Sequence, residues 1–199
     1  MRAHSHADFW PRKLSLEEWA ELSREEPGEL VDGVLVEEEM PGFVHEVIVA
    51  WLAELFRRWG GRRVLVASSG ARYGVAPSRG RMPDLSVFLP GAARPPARGP
   101  IRVPPSIAVE ILSPTARDAR RDRVEKVVDY ARFGVRWYWL IDPELRTLEV
   151  LELGAEGRYL PALAVSHGVV EAVPGCEGLV VDVSALWHEV DLLEAESAG

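Results

Sequence analysis

The sequence has no asparagine and no glutamine, a single cysteine, and only two lysines, Lys13 and Lys126, among its 23 lysine and arginine residues. Thermolabile amides are disfavoured in hot habitats, so their absence fits GC-rich coding and a thermophilic source. One cysteine, Cys176, excludes an intramolecular disulfide and any cysteine-based metal cage; it fits a reducing cytoplasm and a small buried or half-buried side chain. No apolar run approaches the ~20 residues needed to cross a bilayer. Met1 to His6 leads into charged sequence rather than an apolar signal core, so the expectation is a soluble, unexported, cytoplasmic protein with no membrane partner. Where arginine fills nearly every cationic position, a remaining lysine marks a place that calls for a compact ammonium rather than a flat guanidinium.

What is present bounds the rest. A chain of 199 residues, 47% hydrophobic and 27% charged, suits one well-buried core, and a single domain over residues 1–199 is expected. The net charge of −8 argues against tight, salt-driven binding to nucleic acid. It leaves nucleases open, because carboxylates are what hold Mg²⁺ and the arginines can gather on one face.

Along the chain, Leu14 to Leu22 reads as a short helix with Ser15 as N-cap and Glu18 completing a capping box. Glu29 to Glu37 alternates around Asp32 and Gly33, a hairpin signal. His45 to Trp59 carries Ile48, Trp51, Leu52, Leu55 and Trp59 at helical spacing and stops at Gly60 and Gly61. Strands are predicted over Arg63 to Ser68 and Leu85 to Leu89, joined by a basic connection containing Arg72, Arg79 and Arg81. Gly91 to Pro105 reads as an exposed loop, and Ile107 to Leu112 as a central strand covered on both faces. A second helix is predicted over Arg117 to Phe133, with Val124, Val127, Val128 and Ala131 toward the core and Gly134 ending it. Strands follow over Arg136 to Ile141 and Thr147 to Leu153 around the Asp142-Pro143 turn; the remainder reads as short strands and a closing helical turn.

Glu110 interrupts the apolar run from Ile107 to Leu112, and a carboxylate buried there needs a cation, hydrogen bonds or a metal. Pairing with an arginine at a strand end is the plain alternative. Asp84 opens a strand after Pro83; alone it reads as a turn residue, and beside Glu110 as a second hard oxygen ligand for Mg²⁺. Lys126 shares one helix side with Asp122 and Tyr130, four residues away on either hand, which makes it either a solvent-facing ion pair or an ammonium that orients water or phosphate. His45 points to the edge of the core, where a hydrogen-bonded structural histidine is the alternative to a metal ligand; only one of His45 and Glu46 can face a central site. No phosphate-cradling glycine loop, zinc spacing or Gly-x-Ser-x-Gly elbow is present, and His4, His6, His167 and His188 have no ligand-like spacing.

The succession Met82-Pro83-Asp84, Val109-Glu110-Ile111-Leu112-Ser113-Pro114, Asp122-x-x-x-Lys126, Gly134-Val135 and Tyr138-Trp139-Leu140-Ile141-Asp142-Pro143 resembles the Uma-two family of restriction endonucleases, a branch of the PD-(D/E)XK nuclease superfamily. The likeness runs from Glu29-Leu30-Val31-Asp32-Gly33 through His45 to Pro143. It implies an α/β fold with a restriction-endonuclease-like core, a mixed central β-sheet flanked by helices with additional β-hairpins. It also implies a catalytic set of Asp84, Glu110 and Lys126, with Mg²⁺ or Mn²⁺ held by Asp84, Glu110 and the Ile111 carbonyl, and His45, Asp122 and Tyr130 as accessory residues. DNA is the implied substrate, with a homodimer addressing two strands. The lysine of the Glu-x-Lys element is replaced by Leu112, and Lys126 would supply its ammonium from the next helix. A nuclease fold serving only as a binding module, and a metal-free structural domain, remain the alternatives.

Overall fold

The computed structural model describes residues 13–23, 28–37, 41–113, 115 and 120–197. Helix α1 (Leu16–Glu21) starts on Ser15, whose hydroxyl accepts from the Glu18 amide while the Glu18 carboxylate reaches back to the Ser15 amide, the expected capping box. Strands β1 (Glu29–Val31) and β2 (Val34–Val36) form the expected hairpin. Its two turn residues, Asp32 and Gly33, both take positive φ (53° and 83°), the geometry that matches the twist of a two-residue hairpin. Helix α2 (Phe43–Gly60) then buries Ile48, Val49, Leu52, Ala53 and Phe56 along one stripe. Each large side chain fully buried there contributes about 1.5–3 kcal/mol relative to exposure.

The connection between the next two predicted strands is itself structured. After β3 (Leu65–Ser68), strands β4 (Tyr73–Ala76) and β5 (Arg79–Arg81) form a hairpin before β6 (Leu85–Phe88). Charged Arg79 and Arg81 and small Gly74 and Gly80 masked the strand pattern in the sequence. The hairpin joins β1 and β2 in a four-stranded sheet of order β2-β1-β5-β4.

Strand β7 (Ile107–Ile111) is buried along its whole length, as predicted. A π-helical segment, Arg121–Lys126, leads into α3 (Val127–Phe133), which ends at Gly134 in the left-handed conformation. Residues 117–119 of the predicted helix, with Pro114, His4 and His6, lie outside the described residues. Strands β8 (Trp137–Asp142), β9 (Thr147–Leu153) and β10 (Tyr159–Val165) follow. Then come the paired β11 (Val169–Val170) and β12 (Val181–Asp182). The closing element is longer than the helical turn expected: α4 (Val183–Ser197) has 15 residues.

The main sheet has six strands in the order β10-β9-β8-β7-β6-β3 and is mixed, with β7 and β8 parallel and the other neighbours antiparallel. Parallel neighbours need a crossover, which the π segment and α3 provide. Side chains alternate across the sheet. Ile107, Val109 and Ile111 therefore face the core shared with α2 and α4, while Ala108, Glu110 and Leu112 face α3. Cys176 is buried and free in the first of these cores, where burial pushes its thiol up to about 12.

The second helix shows a different buried face from the one predicted. Val124 and Val128 are 51% and 44% exposed, while Arg121, Asp122, Lys126, Asp129 and Tyr130 are buried. The valine stripe assumed that the apolar side turns inward. Here the inward side carries ion pairs, because it faces Glu110 and the small sheet rather than a hydrocarbon surface.

Candidate active site

The alternation of β7 aims Glu110 at the crossover helix, and β6 brings Asp84 to the same place. The antiparallel register Leu85↔Val109, Ser86↔Ala108 and Val87↔Ile107, continued by one residue, sets Asp84 opposite Glu110. Beyond Val109 the next β7 residue that turns toward β6 is Ile111, and it has no strand partner there. Asp84 Oδ2 accepts from its amide at 2.7 Å. The other oxygen, Oδ1, stands 3.1 Å from His45 Nε2 on α2. His45 thus faces the site, and its Nδ1 lies 3.4 Å from the half-exposed Glu46 carboxylate.

Glu110 is buried with both oxygens engaged: Lys126 Nζ donates to Oε2 at 2.9 Å and the Tyr130 hydroxyl to Oε1 at 2.7 Å. Burial drives its pKa well above the usual carboxylate range; Lys126 opposes this, and the charges of Asp84, Asp122 and Glu29 add to it. Asp122 is raised for the same leading reason, with Lys126 again opposing.

Lys126 is not the solvent-facing ion pair of the plain reading. It is 3% exposed, and its ammonium lies 3.0 Å from Asp122 Oδ1 and 3.6 Å from Glu29 Oε1 as well as on Glu110. Spacing of four residues puts Asp122, Lys126 and Tyr130 on one side, and the Tyr138 hydroxyl, donating to the Asp122 carbonyl at 3.0 Å, anchors the π segment. The structure therefore brings together Asp84, Glu110, Lys126, His45, Asp122 and Tyr130.

Sequence reasoning missed Glu29, Arg81 and Asp129. Arg81 is fully buried; it bonds Glu29 through Nη1 and Asp129 Oδ2 through Nε at 2.8 Å and Nη2 at 2.7 Å. The available signal was Arg81 itself, one residue before the Met82-Pro83-Asp84 motif.

Asp84, Glu110 and the Ile111 carbonyl are the oxygen donors that a divalent ion would meet here. Among the described residues no three His, Cys, Asp or Glu side chains are gathered at ligating spacing. Mg²⁺ needs fewer, since it takes one or two carboxylates and keeps several waters. Asp84 and Glu110 are hard oxygen donors, and Glu110, Asp122 and Glu29 surround the single Lys126 ammonium. The Ile111 carbonyl turns, with its amide, toward the side where Asp84 lies. Two carboxylates, a carbonyl and waters fit a hard cation.

The profile of the Uma2 family, described as "Putative restriction endonuclease", matches residues 15–184. Among solved structures the chain is similar to one titled a "putative nuclease belonging to DUF820" from Anabaena variabilis, with a TM-score of 0.67. That likeness has 20% sequence identity and covers 88% of this chain and 98% of the other. At this identity it establishes the fold: a mixed sheet flanked by helices. No curated relative matches the chain.

Proposed function

The chain belongs to the Uma2 family, and from that membership and the buried Asp84–Glu110–Lys126 cluster we propose that it is a divalent-metal-dependent endonuclease of the PD-(D/E)XK type, hydrolysing phosphodiester bonds in DNA. The observation that carries the reading is the Lys126 ammonium on the Glu110 carboxylate at 2.9 Å. Leu112 occupies the place of the Glu-x-Lys lysine, and a lysine from the crossover helix reaches the same carboxylate. In a chain that uses arginine nearly everywhere else, this position keeps a compact ammonium.

Asp84, Glu110 and the Ile111 carbonyl would hold Mg²⁺ or Mn²⁺, which supplies a water of lowered pKa and positive charge against the phosphate oxygens. Lys126 orients the attacking water and offsets charge developing on the phosphate. Both Glu110 oxygens accept, from Lys126 and from Tyr130, and these two donors favour the ionised carboxylate that a cation would need. His45 fixes the orientation of Asp84 and, at 17% exposure with Asp84 at 19%, marks the side from which a phosphate approaches. Water oxygen bonds to phosphorus and sheds a proton to solvent, the bond from phosphorus to the leaving sugar oxygen breaks, and that oxygen takes up a proton from solvent. A homodimer would let two such centres address the two strands of a duplex.

The test is cleavage of plasmid and single-stranded DNA with Mg²⁺ and Mn²⁺ by the wild type beside Asp84→Ala, Glu110→Ala and Lys126→Ala. Loss of cutting by at least about 100-fold in each variant is expected. Cutting that survives Glu110→Ala would sink the assignment, and a wild type inactive on every substrate would favour a binding module. Sedimentation of the active species reads the dimer.

A further inference from the structure

We propose that Glu29 is a positioning residue for this site, an outer carboxylate that holds the Lys126 ammonium and the approach to Asp84 from the neighbouring small sheet. The inference rests on the reading of Asp84, Glu110 and Lys126 as the reacting cluster. Glu29 comes from β1, on a different sheet from Glu110, and is wholly buried. Its Oε1 accepts from the Met82 amide at 3.1 Å and lies 3.6 Å from Lys126 Nζ, while Oε2 is bonded by Arg81 Nη1. Arg81 is in turn gripped by Asp129 through Nε and Nη2, so the guanidinium is a fixed fork rather than a swinging arm.

A buried ion pair is a weak source of stability, because desolvation offsets most of its attraction, and joining β1, β5 and α3 leaves the further contacts of Glu29 unexplained. The geometry gives them two roles. The Met82 hydrogen bond pins the backbone two residues before Asp84, which fixes where that carboxylate enters the site. The second contact concerns Lys126. The ammonium is drawn toward Asp122 at 3.0 Å and Glu110 at 2.9 Å, and toward Glu29 at 3.6 Å. Without the Glu29 charge it settles more firmly on Glu110 and competes with a cation for the same oxygen. Arg81 offsets the Glu29 charge, so that Glu29 steers the lysine without becoming a ligand itself.

The experiment is a double-mutant cycle on the full chain, read by calorimetric Mn²⁺ titration and by steady-state plasmid cleavage. Glu29→Gln is expected to weaken Mn²⁺ binding by about 10–100-fold and to lower kcat while leaving the KM for DNA unchanged. Most of the loss in Mn²⁺ affinity is expected to vanish when Glu29→Gln is made in Lys126→Ala, because the two residues act as a unit. Wild-type affinity and turnover in Glu29→Gln overturn the proposal. So does an equal loss in both backgrounds, the mark of general damage. If the wild type cuts and Asp84→Ala does not, while Glu29→Gln cuts normally, only the role of Glu29 falls. A wild type that neither binds Mn²⁺ nor cuts removes both readings. Should Glu29→Gln not fold, Glu29→Asp keeps the charge but draws it back by a methylene, and takes its place in the same cycle under the same criteria.

Discussion

Lys126 and Glu110 stand out in the chain for opposite reasons, one as a rare residue type and the other as an acid in an apolar strand, and the fold pairs them at 2.9 Å. Both anomalies are local, so both are legible in the sequence. Glu29 is not, because its partner Arg81 is 52 positions away and its alternation in the hairpin is that of any strand. His45 gives a pH signature. Burial alone would lower its pKa, but the hydrogen bond and charge of Asp84, with Glu46, outweigh burial and hold it above 6.5. A value raised on folding means the stabilisation is complete below the unfolded-state pKa and fades as pH rises through the folded one. In metal-free protein, urea unfolding of wild type and His45→Gln should therefore differ most below about pH 6.5 and converge at alkaline pH. A gap that is flat or grows with pH would contradict the Asp84 pairing.

At the scale of elements, periodicity located the first three helices and strands β1–β3 and β6–β9, but it missed β4 and β5 and misjudged one face. It counted valines on the second helix, whereas the fold turns in the charged side. Val124→Ser and Val128→Ser are accordingly expected to change stability by no more than about 0.5 kcal/mol. Asp129→Ser, which strips the buried Arg81 of a partner, should cost about 3 kcal/mol or more in the same chemical denaturation. Equal costs for all three would restore the valine face. The β4–β5 hairpin escaped the sequence for a steric reason. Gly80 lies against the buried Trp19 ring, and a Cβ there would come within 2.4 Å of it. A residue chosen for its lack of side chain leaves no alternation to read. Gly80→Ala should lower stability by about 1–3 kcal/mol through overpacking, seen as a lower urea midpoint at unchanged slope. An unaltered midpoint would mean that the Trp19 packing is looser than described.

For the whole molecule, the mixed sheet flanked by helices was implied by the family resemblance, while the apolar runs of β7, β8 and β9 marked those strands alone. The division into a six-stranded and a four-stranded sheet was not legible, since pairing between β1 and β5 joins segments distant in sequence, and no local pattern records it. The net charge of −8 has its place at this scale too: buried acids around Lys126 and Arg81 account for part of it without opposing a nucleic acid at the surface.

The junction of the two sheets has a kinetic consequence. The cluster draws on β1, α2, β6, β7 and the crossover helix, with contacts as distant as Glu29 with Lys126, so no contiguous fragment of the early chain contains it. Long-range closures are slow to form. On refolding from urea, divalent-ion binding should return no earlier than the burial of Trp19, which reports docking of the hairpin, even if the larger core around Trp139 has already consolidated. Stopped-flow fluorescence of single-tryptophan variants against Mn²⁺ uptake would time the two events. On the proposed function, a chain arranged this way would gain its metal affinity only as its last pieces meet, and a partly folded copy would lack the means to cut.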